Sequence, residues 1–453
     1  MLFIPFLELQ RRNGRRAVTP ERRWLVISYF SMIDGMACAQ HIDDRLPYLE
    51  RRGITPVMLT GVCSERWPDK VQARVPSVAP SGIRFELRHL RRRNRLIRLI
   101  KPLIDLLLLP LYLLEKLVID LDSQWSWFPL AILRGHFLCR KHYPELIYST
   151  GGPASAHLAA AMIAHRHNIP WIAEFQDPLV HDDWLRSKRA LKVFTWLERL
   201  ICSRADAVIF LTDQARRNAD RRTGLTKRGW TVYPGADPVA MPDVAYKQGN
   251  ECTFAHFGSL GGSRNLNLFL EGLRRVISER PELTEIIRLD IYGTCDRLSR
   301  RAIDEFSWPK MIRNHGRVPR HNSLEAMKKT DILLLIQNTE EFSTETIPSK
   351  TYEYFHIGRP ILGLVHKNPE LSEMMLRLGH MPVKADSPED IKRSIAELAE
   401  NWIEGRLHPA SGGGFTVAQA VDRLITIQRD IMLQQKTGTA DTLPPVNTEM
   451  NCD

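Results

Sequence analysis

The sequence predicts an α/β fold of two successive doubly wound domains that face a central cleft. Three observations carry the prediction. Apolar strand-like runs alternate with helical periodicity along most of the chain, the pattern of a parallel sheet covered on both faces. The alternation pauses in a stretch rich in Pro, Gly and Asp at 233–250 and then restarts. The length of 453 residues exceeds one ordinary core and suits two domains of roughly 150–220 residues each.

The elements can be read in order. RRWLVISYF (22–30) is a strand-like run followed by a loop containing Gly35, and AQHIDDRLPYLERRG (39–53) is helical with Gly53 as its stop. TPVMLTG (55–61) and ELIYSTGG (145–152) are strands, the second ending in Gly151 and Gly152. The helix SAHLAAAMIAHRHN (155–168) leads into the strand PWIAEFQDP (170–178), and TWLERLICSRA (195–205) into the strand DAVIFLT (206–212). YPGADPVAMPDVAYKQGN has linker composition. After it come the strand TFAHFGSL (253–260), the helix 265–281, strands at 287–293, 330–337 and 360–365, and helices at 387–402 and 416–435. This divides the chain into an arm (1–21), an amino-terminal domain (22–235) with a basic, leucine-rich insertion (84–121), a carboxyl-terminal domain (250–412), a last helix (413–435) and a tail (436–453). The tail is polar and is expected to be disordered. In the arm the apolar residues precede the positive ones, the reverse of a secretory signal.

Composition narrows the function. Seven cysteines lie scattered with no metal-ligand spacing, which favours a reducing, cytoplasmic setting over a disulfide framework. The formal net charge of +11 suits nucleic acid, anionic lipid or phosphorylated substrates. Arg84, Arg88, Arg91, Arg92, Arg93, Arg95, Arg98 and Lys101 crowd one stretch. Only Phe85 interleaves with these arginines and leucines follow them, so the run points to a membrane surface rather than to nucleic acid. The apolar part, Pro102 to Leu114, is interrupted by Asp105 and falls short of the roughly 20 residues a bilayer span needs.

The chemistry concentrates in TETIPSKTYEYFHIGRP, 344–360. Residues 338–347 form the loop at the carboxyl end of a buried strand, where open α/β sheets bind ligands. Pro348 and Ser349 start a helix, Gly358 caps it and Pro360 prevents its continuation. The free N–H groups around Ser349, Lys350 and Thr351, the helix dipole and the Lys350 charge make an anion site. Glu345 in the loop and Glu353 on the next turn are acceptors for hydroxyl groups. Phosphates on the helix end with hydroxyls on flanking glutamates describe a nucleotide sugar.

At this point the sequence resembles a known family. EEFSTETIPSKTYEYFHIGRPILGL resembles the Glu-x7-Glu segment of retaining glycosyltransferases of the GT-B fold, glycosyltransferase family 4, in a form frequent among bacterial polysaccharide members. PELIYSTGGPASAHLAAAMIAHRHNIPWIAEFQDPLV, RADAVIFLTDQARRNA, TVYPGADP and FAHFGSLGGSRNLNLFLEGL are similar to further segments of the family, so the likeness covers most of the chain. It implies two Rossmann-like domains and transfer of a sugar, with retention, from a nucleoside diphosphate-sugar to a glycan or polyprenyl-linked acceptor in envelope or exopolysaccharide synthesis.

By position, the resemblance implies that Glu345 contacts the donor sugar and Glu353 the ribose. Ser349, Lys350 and Thr351, with the Gly258–Ser259 loop, would bind the diphosphate. Arg264 would pair with it as charge develops on the leaving group, so neither cofactor nor metal is expected. Asp177 would stand across the cleft near the acceptor, on the side of Gly35, Gly151 and Gly152. Three positions depart from the family: Ser259 and Gln176 stand where a basic residue and Arg are common, and Pro234-Gly235-Ala236 precedes Asp237 in place of Asn-Gly. Asp120-Leu121-Asp122 follows a leucine-rich helical run and is expected to be helix-end surface, and His181-Asp182-Asp183 a solvated loop. A nucleotide-sugar epimerase or a non-catalytic subunit of the same fold remains a rival reading.

Overall fold

The computed structural model describes residues 21–437 apart from 34–35, 64–66, 68–69, 91–94, 120, 182–186, 226–227 and 411–412. The arm, the tail beyond 437, Gly35, Asp120, Asp182 and Asp183 therefore lie outside the described residues.

Two all-parallel sheets form. The first contains β1 (Arg22–Ser31), β2 (Ile54–Cys63), β3 (Val71–Arg74), β4 (Leu146–Gly151), β5 (Trp171–Phe175), β6 (Ala207–Phe210) and β7 (Gly229–Thr231), in the order β3-β2-β1-β4-β5-β6-β7. The second contains β8 (Cys252–Phe257), β9 (Ile287–Tyr292), β10 (Ile312–Gly316), β11 (Ile332–Ile336), β12 (Ile361–Val365) and β13 (Met381–Lys384), in the order β10-β9-β8-β11-β12-β13. Each order reverses beside the first strand of its sheet. That switch point leaves a crevice at the carboxyl ends of the strands.

The central strands read as unbroken apolar runs because both faces are covered. In β1, Leu25, Ile27 and Tyr29 join one helical layer while Trp24 and Val26 join the other. In β11, Ile332, Leu334 and Ile336 pack one way and Leu333 and Leu335 the other.

The last helix, Val417–Thr437, crosses back to the first domain. Val417, Val421, Leu424, Ile427 and Ile431 are buried with Trp24, Ile42, Leu49 and Tyr148 in one cluster. Gln428 bonds Arg22 and Glu145, and Asp422 takes two hydrogen bonds from Arg52.

The insertion forms two helices, Pro80–Leu90 and Arg95–Val118, which pack together. The longer helix is built inside out. Lys101, Asp105, Tyr112 and Glu115 occupy its protein-facing stripe, where Glu115 accepts bonds from Ser81 and Trp125 and Asp105 pairs with Lys101 and Arg84. Leu96, Leu99, Leu103, Leu106, Leu107, Leu111, Leu113, Leu114, Leu117 and Val118 are exposed. Lys101 is thus a buried ion-pair partner, not part of the basic surface expected of it. Among the described residues no helix is long and apolar enough to cross a membrane.

Candidate active site in the interdomain cleft

A cleft of about 370 Å³ opens where the carboxyl ends of β5, β6, β8 and β11 face each other across the two domains. Asp177, Gly258, Ser259, Arg264, Glu345, Ser349 and Lys350 all line it, so residues far apart in sequence meet there.

On the carboxyl-terminal side the loop after β11 makes a short turn, Glu341–Glu345, ahead of the helix Lys350–Ile357. Gly358 closes that helix with φ +72°, the left-handed cap that glycine adopts without strain. Of the three N–H groups expected to be free, that of Thr351 is used by Pro348 O at 2.9 Å. Of the residues expected to form an anion site there, Ser349 and Lys350 line the cleft, whereas Thr351 is fully buried and does not.

Arg264 follows the tight loop after β8. Gly293 presses against that loop so closely that a Cβ there would stand 1.8 Å from Gly258 O, which only glycine allows. Burial lowers the Arg264 pKa while Glu340 and Asp177 oppose that shift, and its Nε has no hydrogen-bond partner. No ion pair within 4.0 Å involves Arg264 among the described residues. Its nearest opposing charges, Glu340 and Asp177, act on it from beyond ion-pair distance. Ser259, standing where a cation was missing, accepts a bond from Thr294 Oγ1 at 2.9 Å.

The two glutamates are placed differently. The carboxylate of Glu353 is almost fully buried and already engaged: Lys350 at 2.6 Å, Arg320 at 3.0 Å and Gln40 Nε2, from the first domain, at 2.9 Å. Burial alone would raise its pKa, but Lys350 and Arg320 hold it below the usual value. Glu345 sits at the first-domain helix Asp213–Thr223, and its backbone carbonyl accepts from Thr212 Oγ1 at 2.7 Å. Burial raises the Glu345 pKa against the pull of Asn218 and Arg222, and Oε2 has no partner.

Across the cleft, solvent reaches Asp177. The protein wall around its carboxyl raises the pKa and Arg264 opposes the rise. Gly152 stands beside this carboxylate, and a Cβ there would lie 3.5 Å from Asp177 Oδ2, an ordinary contact. Gly151, with φ +132°, ends β4 just before it, and neither glycine lines the cleft itself. His181 departs from the solvated loop expected of it. Its side chain is buried, with its ring 5.3 Å from that of the half-buried Phe342 of the other domain. Among the described residues, no group of three or more His, Cys, Asp or Glu is arranged to hold a metal ion.

Sequence reasoning missed the residues that join the domains. Gln40 and Arg320 converge on Glu353, with Asp44 3.5 Å from Arg320. Glu370 accepts from Asp213 N at 2.9 Å, Gln214 N at 3.2 Å and Tyr233 Oη at 2.7 Å, capping the start of a first-domain helix with a side chain from the second domain. No local signal announces the pairs that cross between domains, since their partners lie 137 or more residues apart, and even Arg320 lies 33 from Glu353.

Comparison with known proteins fits this geometry. Residues 39–235 match the sequence profile of the glycosyl transferase 4-like domain. No curated protein matches the sequence. Among solved structures, HepE of Anabaena in complex with UDP has a TM-score of 0.56 at 12% identity, over 92% of this chain and 100% of that one. Sucrose-phosphate synthase of Thermosynechococcus elongatus gives 0.60 at 11%, over 92% and 98%. A putative UDP-N-acetylglucosamine 2-epimerase of Listeria monocytogenes gives 0.54 at 10%, over 94% and 100%. At such identities the likeness speaks for the fold. The chain has the two facing parallel α/β sheets of the GT-B fold, and residues 39–235 of its first domain match the glycosyl transferase 4-like domain.

Proposed function

We propose that the protein is a glycosyltransferase that moves a sugar from a nucleoside diphosphate-sugar to a lipid-linked or glycan acceptor at an anionic membrane surface, with retention at the anomeric carbon. The observation that carries the donor half is Arg264, a half-buried cation with no ion pair among the described residues, in the same cleft as the helix start at Ser349 and Lys350. The diphosphate would bind between them. Transfer breaks the bond from the anomeric carbon to the diphosphate oxygen, and the nucleoside diphosphate departs with the electron pair. The acceptor oxygen bonds to that carbon from the same face, and its proton passes to the departing phosphate. Arg264 and the helix end would stabilise the charge that grows on the leaving group. Asp177 would face the incoming acceptor. Ribose hydroxyls would take Glu353 from Gln40, so donor binding exchanges an interdomain hydrogen bond for a ligand bond.

HepE in complex with UDP fits a nucleotide-bound donor site and sucrose-phosphate synthase fits transfer, whereas the putative 2-epimerase fits the rival reading, in which a sugar carbon is inverted and no glycoside forms. A thermal-shift screen against UDP, GDP, ADP and dTDP and their sugar esters tests the proposal. One diphosphate should raise the melting temperature in proportion to the logarithm of its concentration. No shift with any of them would reject a nucleotide donor. Epimerised sugar without a glycoside product would reject transfer.

The membrane half rests on the inverted helix Arg95–Val118. Ten leucine or valine side chains there are more than half exposed, far more than an isolated surface apolar residue represents. Lipid is the partner that accepts a face of leucines flanked by arginines. Replacing Arg91, Arg92, Arg93 and Arg95 with Ser should abolish salt-sensitive binding to vesicles containing phosphatidylglycerol and leave donor affinity unchanged. Equal co-sedimentation of parent and variant at low salt would reject the membrane contact.

A further inference from the structure

Three neutral side chains in the cleft wall share one peculiarity: each has its hydrogen-bond donor tied to the protein and its acceptor left over. Gln176 gives its Nε2 to Thr150 Oγ1 at 2.9 Å, and Thr150 in turn donates to buried Glu174 at 2.8 Å. That order of donors fixes the Gln176 amide with Oε1 unpaired. The Nδ1 of His256 lies 3.1 Å from Leu334 O, a pure acceptor, so Nδ1 carries the proton and Nε2 keeps its lone pair without a partner. Asn338 gives Nδ2 to Glu340 at 3.1 Å and leaves Oδ1 unpaired. All three residues line the cleft, together with the unpartnered Oε2 of Glu345 and the solvent-reached carboxyl of Asp177.

A buried acceptor without a donor costs on the order of 1–3 kcal/mol, so several on one cleft call for a ligand rich in hydroxyl groups. The charge balance points the same way. Lys350 is already paired with Glu353 at 2.6 Å, which leaves Arg264 for the diphosphate and no cation of the described cleft wall for a further anion.

Building on the donor reading above, we infer that the cleft selects a neutral, polyhydroxylated sugar and rejects an acidic one, with Gln176, His256 and Asn338 as specificity-determining hydrogen-bond acceptors. A uronate carboxylate would meet neutral acceptors and the carboxylates of Asp177 and Glu345. The like charges would be juxtaposed in a partly desolvated site.

The test is calorimetry on the full chain with ligands sharing one base: the nucleoside diphosphate that binds most tightly, its glucose ester and its glucuronate ester. The glucose ester is expected to bind more tightly than the glucuronate ester by roughly tenfold or more. Asn338→Leu, and separately His256→Phe, should weaken the glucose ester by about fivefold, the value of one hydrogen bond, while the bare diphosphate binds as to the parent. Equal affinity for the two esters, or variants that leave the glucose ester unaffected, would overturn the inference while diphosphate binding keeps the donor reading intact. Failure of every diphosphate to bind would instead reject the donor reading itself.

Discussion

Arg264→Ala is expected to weaken binding of the free nucleoside diphosphate and to lower turnover, each by about tenfold to a hundredfold, because a charge-assisted, forked contact is worth about 1.5–3 kcal/mol. Arg264→Lys should recover only part of the loss, since an ammonium does not reproduce two parallel N–H bonds. The ligand-free variant should be at least as stable as the parent. Burial disfavours the Arg264 charge and no ion pair compensates it among the described residues, so its removal relieves a desolvation cost. This separates a binding defect from a folding defect: calorimetry should show weaker binding while thermal melting shows no loss. Unchanged diphosphate affinity would return Arg264 to an ordinary loop residue.

The second large effect is expected at Glu345. Glu345→Gln keeps the size of the side chain and removes the charge that favours positive character on the transferring sugar. Turnover should fall on the order of a hundredfold with little change in donor affinity, the signature of an interaction made in the transition state. The pH profile carries a second check. Burial raises the Glu345 pKa, so the ionised form, and with it the rate, should be lost as pH falls through a value above the usual carboxylate range. In Glu345→Gln that limb should disappear. Equal rates for parent and variant would remove Glu345 from the chemistry.

Much of the frame was legible because central strands of a parallel sheet are apolar on both faces. Leu25–Phe30 and Ile332–Ile336 read as strands on that ground alone. The edge strands β3, β7, β10 and β13 were not legible: VQAR, GWT, IRNHG and MPVK are short and half polar, since one side of each meets solvent or a loop. At the site, the strand, loop and helix around Glu345 and Glu353 were legible from local punctuation by Pro348, Gly358 and Pro360. The state of Glu353 was not, because Gln40 lies 313 positions away and Arg320 33 away. Nor was the place of Lys101 on the helix Arg95–Val118, which reads with the basic surface run until the neighbouring helix assigns the inward face to polar residues.

The return of the helix Val417–Thr437 to the first sheet bears on how the chain is made. Burying Val417, Val421, Leu424, Ile427 and Ile431 contributes about 1.5–3 kcal/mol for each side chain. That sum is comparable to the whole stability margin of a typical domain. During synthesis the first domain would emerge early but lack one layer of its cover, with Trp24, Ile42 and Leu49 waiting for residues translated nearly four hundred positions later. The usual vectorial order, in which the amino-terminal domain is finished first, is thereby inverted: the second domain can close from contiguous sequence, and the first is sealed afterwards. A nascent chain halted before residue 417 would display an open apolar sheet face, the surface on which a holdase chaperone acts.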